Sequence, residues 1–236
     1  MAVQPETRNR DWLGNATYAI YKAGRQVCRL PIVGALVPAT LRRKLQWRLA
    51  SRTMAHLPDR RYMEEAILPA LSKLPPCRVL DVGIEFYSQH YYRWFEDGFE
   101  YWTIDIVADL ARYGRPGRHI VGDVRDVGSH FEAGSLGVVL LNGPFGYGVD
   151  LLVEQEAVIE TMARLLRPGG YMLVGWDLAE DGLPVVVAGR RPGHVRDPRE
   201  LEATRRYFRH EAPSSLNRHV VFDDCSHVYD WFCRAD

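Results

Sequence analysis

Two periodicities divide the chain. Leu41, Leu45 and Leu49 recur every four positions with arginines between them, which puts one apolar stripe on a basic helix. Just before it, residues 30–39 form an apolar run that Pro31 and Pro38 keep from being one regular helix, and that is too short to cross a bilayer. Pro58 ends the basic helix, and Asp59 is placed to cap a second one over 62–71. The Pro75-Pro76 pair marks the expected domain boundary, leaving a helical extension at 1–74 and a domain at 75–236.

From Cys77 onward the rhythm changes. Short β-branched apolar runs at 78–82, 101–104, 119–121, 136–141 and 171–175 alternate with longer stretches, as in a parallel sheet with helical crossovers. Residues 151–166 read as a helix closed by Arg167-Pro168-Gly169-Gly170, a stop signal of basic last turn, proline and glycines. Two further strands, 219–222 and 227–232, are four residues apart, so they form a hairpin and the last strand runs antiparallel. The pattern predicts an α/β fold: a doubly wound, mostly parallel sheet that ends in an antiparallel hairpin.

Charge separates the same two regions. The 236 residues have a net charge of zero, yet the first 61 carry 12 Arg or Lys against three acids, a net +9 that the remainder balances. Such an arm predicts a partner of its own. The candidates are an anionic membrane surface met peripherally, an acidic substrate, nucleic acid, a second copy of the chain in a homodimer, and the acidic remainder of this protein. No apolar run is long enough to span a membrane, and residues 1–10 lack the apolar core of an export signal, so a cytoplasmic protein is expected. The four cysteines form no C-x-x-C pair and no metal-ligand spacing appears, so reduced thiols and no metal are expected.

In a doubly wound sheet, ligands lie beyond the carboxyl ends of the strands near the point where strand order reverses. The residues placed there are 81–87, Asp105, Asp123, 142–148, Trp176 and Asp177. Three of the first strands thus end beside an acid.

The ordered set Val79-Leu80-Asp81-Val82-Gly83, then Thr103-Ile104-Asp105, then Gly122-Asp123, then Arg164-Leu165-Leu166-Arg167-Pro168-Gly169-Gly170 resembles the class I S-adenosylmethionine-dependent methyltransferases. It covers residues 77–178. The resemblance implies S-adenosylmethionine as cofactor, held by Asp81 and Gly83 after the first strand, by Asp105 at the ribose, by Asp123 and Val124 at the adenine, and by Ile106, Asn142 and Gly143. Family members carry two more glycines after the first; here Glu85 and Tyr87 stand in their places. Glu85 then faces the cationic part of the cofactor and Tyr87 or Tyr91 closes the site, or Glu85 and Tyr87 fill the pocket and leave a binding subunit without catalysis.

Methyl transfer is an in-line displacement at an already activated carbon, so positioning supplies most of the catalysis and a general base helps a hydroxyl acceptor. The candidate bases are Asp177 and His90, with His194 behind them. Phe145, Tyr147 and Trp176 are the candidate acceptor contacts, and the turn-rich basic stretch 190–199 is a candidate lid. Asn142-Gly143-Pro144-Phe145 departs from the N-P-P-Y motif of nucleic-acid amino methyltransferases, so no nucleic-acid partner is expected. The implied activity is methylation of oxygen or nitrogen on a small molecule, a sugar or a specialised metabolite. A lipid-linked glycan at a membrane surface is the variant that would use the basic arm. A nicotinamide dehydrogenase is disfavoured because no G-x-G-x-x-G follows the first strand.

Overall fold

The computed structural model describes residues 57–95, 98–178, 195–222 and 226–236. The chain divides into two compact units, Met1–Arg61 and Tyr62–Asp236. The basic helix, the apolar run before it and His194 lie outside the described residues.

Eight strands make one sheet: β1 (Arg78–Val82), β2 (Glu100–Asp105), β3 (His119–Val121), β4 (Leu136–Asn142), β5 (Leu166–Asp177), β6 (Phe208–Arg209), β7 (His219–Val221) and β8 (His227–Arg234). Their spatial order is β3-β2-β1-β4-β5-β8-β6, with β7 also paired to β8. The first five are parallel, and β8 enters antiparallel beside β5. Strand order reverses between β1 and β4, which sets the ligand crevice at their carboxyl ends.

Alternation along the strands sorts side chains between two cores. Leu80, Val82, Val139, Leu141, Met172 and Val174 face one side, where α3 (Leu152–Leu165) and residues 124–131 cover them. Val79, Tyr101, Val138, Leu140, Leu173 and Trp231 face the other. There the cover is Met63, Ile67, Leu68 and Leu71, with Tyr91 and Phe95 beside them. Parallel strands buried on both faces read as unbroken apolar runs, which is why Leu136–Asn142 carries almost no polar residue. The helical stretch that supplies Met63 to Leu71 runs as α1 (Pro58–Tyr62), a π-helical turn (Met63–Ile67) and α2 (Leu68–Leu71). Those four residues are fully buried against the sheet, so the second unit starts at Tyr62 and contains the Pro75-Pro76 pair.

Two local expectations are corrected. No full helix follows β1: residues 86–90 turn and only a 3-10 segment, Tyr91–Trp94, forms. The Arg-Pro-Gly-Gly stretch lies within β5 as an irregularity in its pairing with β4, where register shifts between Leu136 and Val138. Gly169 takes φ +72°, a conformation that favours glycine.

Candidate active site

The ends of β1 and β2 are tied by backbone groups. Gly83 leaves β1 at φ +86°, and a Cβ there would lie 2.8 Å from the carbonyl oxygen of Asn142. Only glycine lets the first loop pass that close to β4. The Ile84 amide donates to Asp105 Oδ2 at 2.9 Å and the Val107 amide to Asp105 Oδ1 at 2.7 Å. A carboxylate oxygen accepts more than one bond, so each still has acceptor capacity toward a ligand hydroxyl. Beside it, Ile106 is 64% exposed, an open apolar surface at the edge of the crevice.

The loop beyond Gly83 takes a compact form in place of the missing glycines. Ser88 Oγ accepts from the Glu85 amide at 3.1 Å and donates to the Glu85 carbonyl at 3.0 Å, closing a four-residue turn. Phe86 and Tyr87 meet edge to face across it. Asp81 sits within β1, buried, and accepts from Tyr101 Oη at 2.6 Å. Burial, with the Asp81 carboxylate beside it, pushes the Tyr101 phenol well above its ordinary value.

At β3, Asp123 caps the following 3-10 segment by accepting from the Arg125 amide. Its carboxylate is also gripped by the Arg125 guanidinium, which holds it below the ordinary range. Arg125 reaches on to Glu154 in the first turn of α3. Val124, expected at the adenine, is buried in the core instead.

The ends of β4, β5 and β8 are joined by side chains. Cross-strand register pairs Asn142 with Gly175, and Asp177 with His227. Asp177 Oδ2 accepts from Tyr147 Oη at 2.8 Å, and Oδ1 accepts from Ser226 Oγ at 3.1 Å with His227 Nδ1 at 3.4 Å. His227 Nε2 lies 3.1 Å from Asn142 Oδ1. A Cβ on Gly175 would fall 2.2 Å from Asn142 Oδ1 and 2.8 Å from His227 Nε2, so the bare glycine makes room for the pair. Burial alone would raise Asp177. The bond and charge of His227, with the Tyr147 and Ser226 hydroxyls, outweigh burial and bring the carboxyl down to about 2.

The structure thus draws Asn142, Tyr147 and Asp177 together, and it puts Gly83 against Asn142 and Ile84 against Asp105. Besides Val124, it moves three expected residues elsewhere. His90 Nε2 lies 3.3 Å from Glu64 Oε1, on the side where the helical stretch covers the sheet. Phe145 is buried in the core, and the loop closes over it with Val149. Trp176 is buried too, its Nε1 donating to the fully buried Asp230 at 2.9 Å, a carboxylate that His210 and His219 also bond. Gly143 bends the chain at φ +96° and has open space around it. His227 was absent from the sequence expectations. The predicted hairpin contained the signal, because an antiparallel last strand delivers its first residue to the edge where parallel strands deliver their last.

No family model matches the chain, and no curated protein does. Solved structures do. The N-methyltransferase NodS from Bradyrhizobium japonicum, in complex with S-adenosylhomocysteine, is 13% identical with a TM-score of 0.54 over 76% of this chain and 89% of that one. The 1,6-didemethyltoxoflavin-N1-methyltransferase of Burkholderia thailandensis, with its substrate and S-adenosylhomocysteine bound, is 19% identical with a TM-score of 0.50 over 82% and 90%. At such identities the likeness is one of architecture, and the strand order with its antiparallel β8 agrees with the sequence resemblance. The chain has the class I S-adenosylmethionine-dependent methyltransferase fold.

Proposed function

We propose that the chain binds S-adenosylmethionine and transfers its methyl group to oxygen or nitrogen of a small molecule. The observation that carries this reading is the joined crevice at the reversal of strand order. Gly83 is drawn against Asn142, and the Asp105 carboxylate is fixed by two backbone amides with acceptor capacity left over. Those residues fit the group: Asp105 for the ribose hydroxyls, the Gly83 backbone for close approach, Ile106 as an apolar platform for the adenine. When bound, the cofactor supplies a sulfonium-activated methyl, so the chain needs to hold an acceptor in line and exclude competing water. The fold alone carries no activity.

The acceptor side supports a small molecule with both apolar and polar parts. Tyr147 and Leu178 are exposed beside the polar group centred on Asp177, and Leu151, Leu152 and Val153 are exposed where α3 begins. Calorimetric titration of the purified full chain with S-adenosylmethionine and S-adenosylhomocysteine, with NAD as control, tests the reading. Micromolar binding of the first two and none of NAD is the expected outcome. Folded protein that binds neither would overturn it and favour a binding subunit whose pocket is filled by the turn at Glu85–Ser88.

A further inference from the structure

Another cleft opens away from the strand-end crevice. The connections after β1 and β2 form only short 3-10 segments, Tyr91–Trp94 and Ala108–Tyr113. Between them lies a space of about 470 Å³ whose lining includes Tyr92, Arg93, Arg112 and Tyr113. Tyr92 backs onto the core that Met63, Ile67, Leu68 and Leu71 cover. A space of this size takes a small molecule, and its lining shares no residue with the group around Asp105, Asn142 and Asp177.

The charge of this cleft is one-sided. Arg93 and Arg112 are exposed and Arg115 is half-buried, and among the described residues no carboxylate pairs with any of the three. The Arg112 guanidinium lies over the Tyr113 ring at 4.7 Å, and that of Arg115 over the Tyr92 ring at 4.2 Å. Stacking engages the guanidinium plane and leaves the N–H fork at its edge for an oxygen ligand. The backbone beneath is fixed: the Arg115 amide donates to Thr103 Oγ1 at 2.9 Å, and the Arg118 amide to the Arg115 carbonyl at 3.0 Å. Residues 112–118 hold three arginines and no acid, so their mutual repulsion has no relief within the segment. Glu64, on the neighbouring helical stretch, is engaged by His90 at 3.3 Å, and Asp109 stands exposed in the first turn of Ala108–Tyr113.

We propose that this cleft binds a ligand through a phosphate group, with Arg93 and Arg112 holding the phosphate and Arg115 adding its charge from its place on the Tyr92 ring. A phosphate monoester brings roughly two negative charges at neutral pH and three acceptor oxygens, where a single carboxylate would leave guanidinium charge unmatched. Arginine forks fit its oxygens in pairs. Tyr92 and Tyr113 offer ring surface to the body of the ligand. The site stands apart from the methyl-transfer reading and holds whether or not the crevice is catalytic. The same phosphate chemistry occurs on soluble metabolites and on lipid headgroups.

Calorimetric titration of the full chain with pyrophosphate tests it, in about 0.15 M sodium chloride to screen diffuse attraction to the basic N-terminal region. Wild type should bind with a Kd below about 1 mM. Arg93→Gln and Arg112→Gln should each weaken binding about fivefold, as the loss of a charge-assisted contact would. Arg112→Lys keeps the charge and loses the fork, so it should fall between wild type and Arg112→Gln. Arg205→Gln removes the same charge from an exposed position within Glu202–Tyr207 and should leave binding unchanged. All these side chains are exposed, and urea denaturation should show each variant folded as wild type is. Cosedimentation with phosphatidic acid vesicles then identifies the source of the phosphate. Vesicle binding that falls with Arg93→Gln and Arg112→Gln assigns it to a lipid headgroup; vesicle binding that is absent, or that these variants leave intact, assigns it to a soluble ligand. Pyrophosphate binding that Arg93→Gln and Arg112→Gln do not alter, or no binding by folded wild type, would overturn the proposal.

Discussion

The two halves of the crevice are built from different materials. At the ends of β1 and β2, backbone does the work: a glycine at positive φ and two amides on one carboxylate. At the ends of β4, β5 and β8, side chains bond to side chains across distances of 30, 50 and 85 residues in sequence. Backbone geometry suits a constant ligand, because it tolerates change in the side chains around it. A network of side chains suits a ligand that differs between proteins, because each member is replaced by a single substitution. In the proposed function, the first half takes the nucleoside and the second the acceptor.

The largest expected effect comes from breaking the first half. Gly83→Ala puts a methyl 2.8 Å from a main-chain oxygen and asks an L-residue to hold φ +86°. Both penalties fall on backbone that cannot turn aside, so a loss of about 3 kcal/mol is expected. Urea denaturation should show it. In the protein that still folds, S-adenosylhomocysteine affinity should fall at least about tenfold, as a loss of about 1.4 kcal/mol would produce. An unchanged affinity would remove Gly83 from the cofactor side.

Acid should loosen the second half. Asp177 ionises near 2 in the folded chain against an ordinary value of 3.8. Its depressed value means that its contribution is complete above pH 4 and is lost as pH falls from there through 2. A shift of this size is worth about 2 kcal/mol. Comparing wild type with Asp177→Asn by chemical denaturation at pH 6 and at pH 2.5 isolates that contribution. The stability gap between the two proteins should narrow on acidification, and a constant gap would mean that the carboxylate is not held by its charge.

Much of this architecture was legible beforehand, and the exceptions have physical causes. β1 and β3 match their expected bounds, because short β-branched runs bounded by polar residues leave a clear pattern both in buried β1 and at the half-exposed edge strand β3. Asp105, Gly83 and Asn142 were placed correctly at strand ends by topology alone. Phe145 and Trp176 were not, since an aromatic at a strand end has the same sequence signature whether it faces a ligand or the core, and the partner that buries Trp176, Asp230, lies 54 residues away. The alternating pattern after Cys77 predicts helical crossovers, one of them after β1. The loop's own glycine-poor sequence, with Ser88 available to bond Glu85, makes a turn there instead. His227 escapes a reading of the residues that follow strands, because antiparallel β8 brings its first residue to that edge.

A smaller effect separates the halves more cleanly. Gly175→Ala directs its Cβ at two side-chain ends, Asn142 Oδ1 and His227 Nε2, each of which can rotate away. The cost should therefore be about 1–2 kcal/mol, at the low end for overpacking. Binding of S-adenosylhomocysteine should stay within about threefold, a difference below 1 kcal/mol, because Gly83 contacts the main chain of Asn142 and not its amide. A loss of affinity as large as that of Gly83→Ala would show that the two halves act as one.

Tyr147→Phe makes the smallest change and the most local one. Its hydroxyl donates to Asp177 Oδ2 from a ring that is 43% exposed, so water takes over much of the bond when it is removed. The stability cost should be about 0.5–1 kcal/mol, below the usual figure for a bond to a charged group. The second consequence is electrostatic. With one of its donors gone, Asp177 becomes less acidic, and the acid transition seen against Asp177→Asn should move upward in pH. Cofactor binding should be unaffected, since the Tyr147 hydroxyl bond removed here runs to Asp177 at the end of β5. An acid transition that stays in place would mean that Ser226 and His227 alone hold the carboxylate, leaving Tyr147 as acceptor surface.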